Sequence, residues 1–166
     1  CRMIEKAEAI KGWMNTEELL WLSEQARRHK TIVEIGSYHG RSTRALADNT
    51  EGIVYAIDNW RGPQSWEISE TEREELYRKF LSNVGDLIES GKVIPLRMDH
   101  RNLTLDVVPD MVFIDGSHLY PNVKADIEYW MKRLPKGTLL CGHDSNFRDV
   151  RQALIETLGV IQVIPL

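Results

Sequence analysis

The chain has 166 residues, 42% of them hydrophobic and 28% charged, with a formal net charge of −4. That length suits one domain, residues 1–166, whose core needs no disulfide or metal staple. The acidic balance offers no basic stripe for phosphate backbones, which sets nucleic acid aside as a partner, and no 18-residue apolar run marks a membrane span.

No signal peptide is evident. The two cysteines, Cys1 and Cys141, lack CxxC spacing, which argues against a disulfide framework or structural zinc and makes a reducing cytoplasm the expected setting. Because the first residue is Cys1 and not methionine, the chain reads as trimmed, with a lipid-anchored N-terminal cysteine as the alternative.

A helical lead-in covers about residues 1–30, its core being EELLWLSEQARRHK, with Leu19, Leu22 and Ala26 at helical spacing and a basic end. TIVEIG is a short buried strand stopped by Gly36, and RSTRALADN the helix after it. GIVYAID makes a second strand; ETEREELYRKFLSNVGDLIES is a helix whose Leu76, Phe80, Val84 and Leu87 share a face, its ETEREE start being a solvated surface. KVIPLRMD and DMVFIDGS are the third and fourth strands. PNVKADIEYWMKRLPKG is a helix with Pro121 in its first turn, Gly137 past its end and Trp130 in the core with Val123, Ile127 and Leu134. TLLCGHD, DVRQALIETLG and IQVIPL then give a fifth strand, a helix and a sixth strand.

Strands that are continuous apolar runs separated by helices predict a Rossmann-like, doubly wound α/β fold, a mainly parallel sheet covered on both faces. Ligands in that architecture bind beyond the carboxyl ends of the strands, where strand order reverses. Those ends carry EIGSYHG, Asp58 with Asn59, Met98 with Asp99, Asp115 to His118, and His143 with Asp144. A lone acid after a strand is commonly a loop or helix cap, but acids or histidines at five strand ends point to one polar rim. Gly36 and Gly40 are spaced GxxxG, neither GxGxxG nor a P-loop, so a pyrophosphate cradle is not indicated. A nucleoside without phosphate fits better: Asp58, roughly twenty residues past the glycine turn, is placed for ribose hydroxyls, and Asp99 for an adenine amine.

The segments VEIGSYHGRST, VYAIDNW and FIDGSHLYPNVKADIEYWMKRLPKGTLLCGHDS resemble the class I S-adenosylmethionine-dependent methyltransferases. Within them the chain is most similar to the metal-dependent small-molecule O-methyltransferases, a branch that includes macrolide-sugar and cephalosporin-biosynthesis enzymes. The resemblance runs from GWMNTEELLWL to Asp144, and DGSHxY followed by GHD is its most specific part. It implies that Glu34, Gly36 and Ser37 contact the amino acid part of the cofactor, that Asp58 holds the ribose with Asn59 and Trp60 adjoining, and that Met98 and Asp99 flank the adenine. It further implies that Asp115, which also borders the cofactor, and Asp144 are ligands of a divalent metal, commonly magnesium, and that His118 is a general base. His143 stands where some members carry an acidic ligand. Imidazole suits zinc, iron or nickel better than magnesium, so His143 is either a ligand of such an ion or a residue that orients Asp144.

A neutral alcohol is a poor nucleophile, so methyl transfer to oxygen needs a group to take its proton; His118 beside a metal held by Asp115 and Asp144 would supply one. The expected partner is therefore a small hydroxylated molecule, a sugar or natural-product intermediate. Two other readings stay open: a metal-dependent hydroxylase or hydrolase built on Asp115, His118, His143 and Asp144, and a non-catalytic cofactor-binding module. His39 and His100 read as exposed loop residues. Trp60 and Trp66, around RGPQS, form either a substrate wall or packing on the next helix. Arg41, Ser42 and Thr43 offer backbone donors to a cofactor carboxylate, and Ser42 or Thr43 can also be caps, two roles that can coexist. Sheets of the family end with an antiparallel strand that this sequence lacks after IQVIPL, an expectation compatible with truncation, disorder or supply by a partner subunit in a homo-oligomer.

Overall fold

The computed structural model describes residues 3–62, 67–104, 106–159 and 163–164. Five parallel strands form the sheet: β1 (Thr31–Ile35), β2 (Ile53–Asp58), β3 (Val93–Arg97), β4 (Met111–Ile114) and β5 (Leu139–Gly142), in the order β3-β2-β1-β4-β5. The helices are α1 (Glu5–Glu8), α2 (Thr16–Ala26), α3 (Arg41–Ala47), α4 (Glu70–Glu89), α5 (Tyr120–Met131) and α6 (Arg148–Leu158), with a 3-10 turn at His100–Asn102. Strand order reverses between β1 and β4, which are direct neighbours, so the crevice of the doubly wound fold opens at their carboxyl ends.

The strand pleat sorts the core. Ile32, Val54, Ala56, Met111 and Phe113 face α1 to α4, while Val33, Ile35, Ile57 and Val112 face Trp130 of α5. Helices therefore cover both faces, as the unbroken apolar runs require. Asp110, just before β4, accepts from the backbone N–H groups of Lys30 (2.8 Å) and Thr31 (3.0 Å) and so fixes where β1 begins.

α5 stops at Met131, six residues before Gly137, which was expected just past its end. Residues ahead of a proline disfavour helical torsions, and Pro135 follows Leu134, whose N–H makes a last bond to the Trp130 carbonyl. α2 likewise ends at Ala26, leaving the basic run Arg27 to Lys30 in the turn beyond it. The expected sixth strand, IQVIPL, lies mostly outside the described residues, and its Val163 and Ile164 are in no strand. Trp66 also lies outside them. Among the described residues no helix is long and apolar enough to cross a membrane.

Candidate active site

The site is assembled around a backbone contact. Gly36 turns the chain out of β1 with φ +89°, and a Cβ there would lie 2.1 Å from the Asp115 carbonyl oxygen. The Asp115 N–H donates to the Ile35 carbonyl at 2.7 Å, so the exits of β1 and β4 are clamped together. A bare Cα is the only substituent this approach admits.

Beneath the turn, Glu34 is fully buried. Its carboxylate accepts from the hydroxyls of Ser37 (2.7 Å), Ser42 (2.5 Å) and Thr43 (2.5 Å). Burial pushes its carboxyl up to about 7, with the three hydroxyls pulling the other way. Strand alternation turns Glu34, like Ile32, toward α3, where it shapes from below the turn expected to meet the cofactor. The Ser37 side chain faces the same way. Ser42 and Thr43 are not caps, because their hydroxyls point at Glu34; Gly40 precedes α3 and offers no side-chain cap. Arg41 reaches back to the carbonyls of Met14 (2.9 Å), Ala7 (3.2 Å), Glu8 (2.7 Å) and Ile10 (2.6 Å), tying the lead-in to the glycine turn.

Asp58 ends β2 and accepts the N–H groups of Tyr38 and Trp60, each at 2.8 Å. Burial raises its carboxyl and these amides oppose the rise. The amides of Asn59 and Ser37 also oppose the rise, and the residue is half-buried, which leaves it open to a ligand from one side. Trp60 is not on the rim: 1% exposed, it packs on Tyr77 and Phe80 of α4 and donates Nε1–H to the Tyr38 carbonyl at 2.8 Å. Packing prevails over a substrate wall here because the indole has both an apolar bed and an acceptor. Asn59 is exposed, its side chain closing a turn onto the Arg61 N–H. Met98 packs beside Ile57. Asp99 caps the 3-10 turn and pairs with Arg101 at 2.7 Å, which holds its carboxyl down at about 2.

His39 and His100 are buried, contrary to expectation. His100 Nε2 meets Asp126 of α5 at 2.8 Å, and its Nδ1 accepts from the Trp130 indole at 3.2 Å, which assigns the ring proton to Nε2. An acid within the apolar stripe Val123, Ile127, Trp130 signals that Asp126 is buried, but not which residue it meets. His39 stacks on Tyr38 with ring centroids 3.9 Å apart.

At the β4 and β5 ends four predicted residues come together. The His143 N–H donates to the Ile114 carbonyl at 3.2 Å, which sets the β5 exit beside Asp115. Asp144 adopts φ +63°, a conformation Asp tolerates better than most residues. It lies between two imidazoles, His118 Nε2 at 2.8 Å and His143 Nδ1 at 3.1 Å. Asp115 lies 3.9 Å from His118 and 3.8 Å from His143. His118 stacks on Phe147.

The charges shape one another. Asp115 and Asp144 push His118 up to about 10. Burial opposes charging of His143, but Asp144, Asp115 and Glu18 prevail and carry it to about 9. Burial also opposes the charge on Asp144, yet the two imidazoles hold its carboxyl well below the usual range, while burial raises Asp115.

One donor atom each from Asp115, His118 and Asp144 lie within 4.8 Å of one another, a grouping able to hold a cation. Two carboxylates and an imidazole fit a divalent ion. His118, expected as a base, belongs to this group, whereas His143, expected as a ligand, stands beside it with Nε2 bound to Glu18 Oε1 at 2.8 Å. Glu18 was not anticipated. Its NTEE context signals a helix cap but says nothing of a histidine 125 positions later.

A family model described as a methyltransferase domain matches residues 33–145. The uncharacterized protein y4gI of Sinorhizobium fredii (strain NBRC 101917 / NGR234) is 27% identical over 138 residues, 78% of this chain and 14% of that protein. The chain thus spans about a seventh of that relative. The O-methyltransferase TomG of Streptomyces achromogenes, solved with SAM, superimposes with a TM-score of 0.64 at 18% identity over 90% of this chain and 71% of its own. The O-methyltransferase of Bacillus cereus, solved with SAH, gives 0.64 at 19% identity over 93% and 74%. The methyltransferase PaMTH1 of Podospora anserina, also SAH-bound, gives 0.60 at 17% identity over 78% and 53%. At such identities the likeness is one of fold.

Proposed function

The chain belongs to the methyltransferase domain family, and from that premise we propose that it transfers the methyl group of S-adenosylmethionine to a hydroxyl of a small molecule. The observation that supports this reading is the joining of two sites by one backbone contact. The glycine turn with Asp58, suited to a nucleoside, is clamped at Gly36 and Asp115 to the cluster Asp115, His118 and Asp144, suited to an acceptor.

In the reaction the bond from sulfur to methyl breaks with its electron pair left on sulfur, the acceptor oxygen bonds the methyl, and the hydroxyl proton departs. Asp58 would accept from the ribose hydroxyls. The Asp115 backbone borders the glycine turn while its carboxylate turns toward the imidazoles, so one residue faces donor and acceptor. A divalent ion held by the carboxylates of Asp115 and Asp144 would lower the pKa of an acceptor hydroxyl and leave His118 beside it to handle the proton, and its presence is part of this proposal. His118 raised to about 10 carries a proton at neutral pH. It serves as a hydrogen-bond donor to the acceptor until the charges of Asp115 and Asp144 are matched, and only then as a base. A sugar or natural-product acceptor and a cytoplasmic setting belong to the same proposal.

Incubation with methyl-labelled S-adenosylmethionine, magnesium or manganese, and a panel of hydroxylated small molecules tests it. Label should move to an acceptor oxygen, and His118→Ala should lower kcat at least a hundredfold, the usual scale of general acid–base catalysis, with SAH affinity kept. SAH binding with no transfer to any acceptor would favour a non-catalytic module. Iron-dependent turnover without label transfer would favour a hydroxylase.

A further inference from the structure

We propose that Glu18 is a positioning residue for the acceptor cluster: from the first turn of α2 its carboxylate holds the His143 imidazole so that Nδ1 faces Asp144 and Asp115. This rests on the reading of the cluster given above. The Glu18 carboxylate is fixed at both oxygens, Oε2 accepting the Asn15 N–H at 2.7 Å and Oε1 meeting His143 Nε2 at 2.8 Å. Neither side chain is freely solvated, Glu18 being 21% and His143 16% exposed. The His143 backbone is pinned by its bond to Ile114, which leaves ring rotation as the freedom to be removed.

An imidazole's terminal torsion is broad and roughly two-fold, so an unheld ring can turn a carbon where a nitrogen is needed. A carboxylate bound to one nitrogen selects the proton position and the ring orientation at the other. With Nε2 bound to Glu18, Nδ1 lies 3.1 Å from Asp144 and 3.8 Å from Asp115. Asp144 thereby lies between His143 at one oxygen and His118 at the other. The lead-in, which precedes the whole sheet in sequence, so takes part in setting the geometry of its last strand end.

A rival account makes Glu18 only the acid of a capping box, for which Oε2 alone suffices. Four variants separate the two: Glu18→Met, Glu18→Asp, Glu18→Gln and Asn15→Ala. Readouts on the full chain are the ring 15N signals of His143, assigned with His143→Asn, Mn2+ affinity from water-proton relaxation, and SAH affinity by calorimetry. Glu18→Met should shift the His143 signals and weaken Mn2+ about tenfold to a hundredfold, the range for outer partners of a metal site, with SAH affinity unchanged. Glu18→Asp, a methylene too short, should do the same. Glu18→Gln, whose amide oxygen still accepts from Nε2–H, should retain most of the wild-type behaviour. Asn15→Ala should lower Tm through the lost cap and leave His143 and Mn2+ affinity as they were. Unchanged His143 signals in Glu18→Met, or an Asn15→Ala variant that reproduces its effects, would overturn the proposal. If the wild-type chain takes no Mn2+, the cation reading of the cluster falls, and the ring signals still decide the role of Glu18.

Discussion

Glu34 and Gly36 sit two positions apart on one turn yet fail in opposite ways when changed. An unfolded chain releases the Glu34 proton near 4.5, whereas the folded chain keeps it to about 7. Between those values the folded state binds more protons, so this group's contribution to stability falls as pH rises and is fully lost above 7. Relative to Glu34→Gln, which does not titrate, the wild-type chain should lose about 3 kcal/mol between pH 4.5 and pH 8. Urea unfolding of both proteins across that interval measures it, and a constant difference would contradict the assignment. Gly36→Ala meets backbone atoms that cannot yield, so it should cost well over the ~1–2 kcal/mol of a left-handed torsion and abolish SAH binding. Gly91→Ala is the control: its φ is +75° but an added Cβ meets nothing within 4 Å, so it should cost only that torsional amount.

Among elements, the lead-in depends most visibly on a single side chain. Arg41 spans four carbonyls, and lysine cannot reproduce its planar fork. Arg41→Lys should destabilise the chain by about 2 kcal/mol, since each buried acceptor left unpaired costs ~1–3 kcal/mol. Hydrogen exchange should quicken first over α1 and α2 while β1 and β4 stay protected; uniform quickening would mean the lead-in is not a separate unit of local opening. The strands were the legible elements, because a parallel sheet covered on both faces needs unbroken apolar runs, and TIVEI, IVYAID and MVFI are such runs. Helix ends were less legible. Helical periodicity continued through Trp130 and Leu134, and Pro135, the residue that stopped α5, was outweighed by the glycine at 137.

Across the whole molecule, legibility follows topology more than distance along the chain. The cluster at β4 and β5 could be anticipated because strand ends of a parallel sheet meet on one edge, whatever their sequence separation. Glu34 was legible in principle: sharing a strand face with Ile32 puts it against α3 and away from the crevice. His100 with Asp126, and His143 with Glu18, were not legible, since each joins elements whose relative placement only packing decides. The account as a whole requires that the edge formed by β1, β2 and β4 holds a sulfonium nucleoside with Asp58 as its acceptor. Calorimetric titration of SAH into the wild-type chain and into Asp58→Asn, which keeps an acceptor for one of the two backbone amides, tests this most directly. One molecule should bind per chain, with affinity at least tenfold weaker in the variant; no binding to the wild-type chain, or equal binding to both, would contradict it.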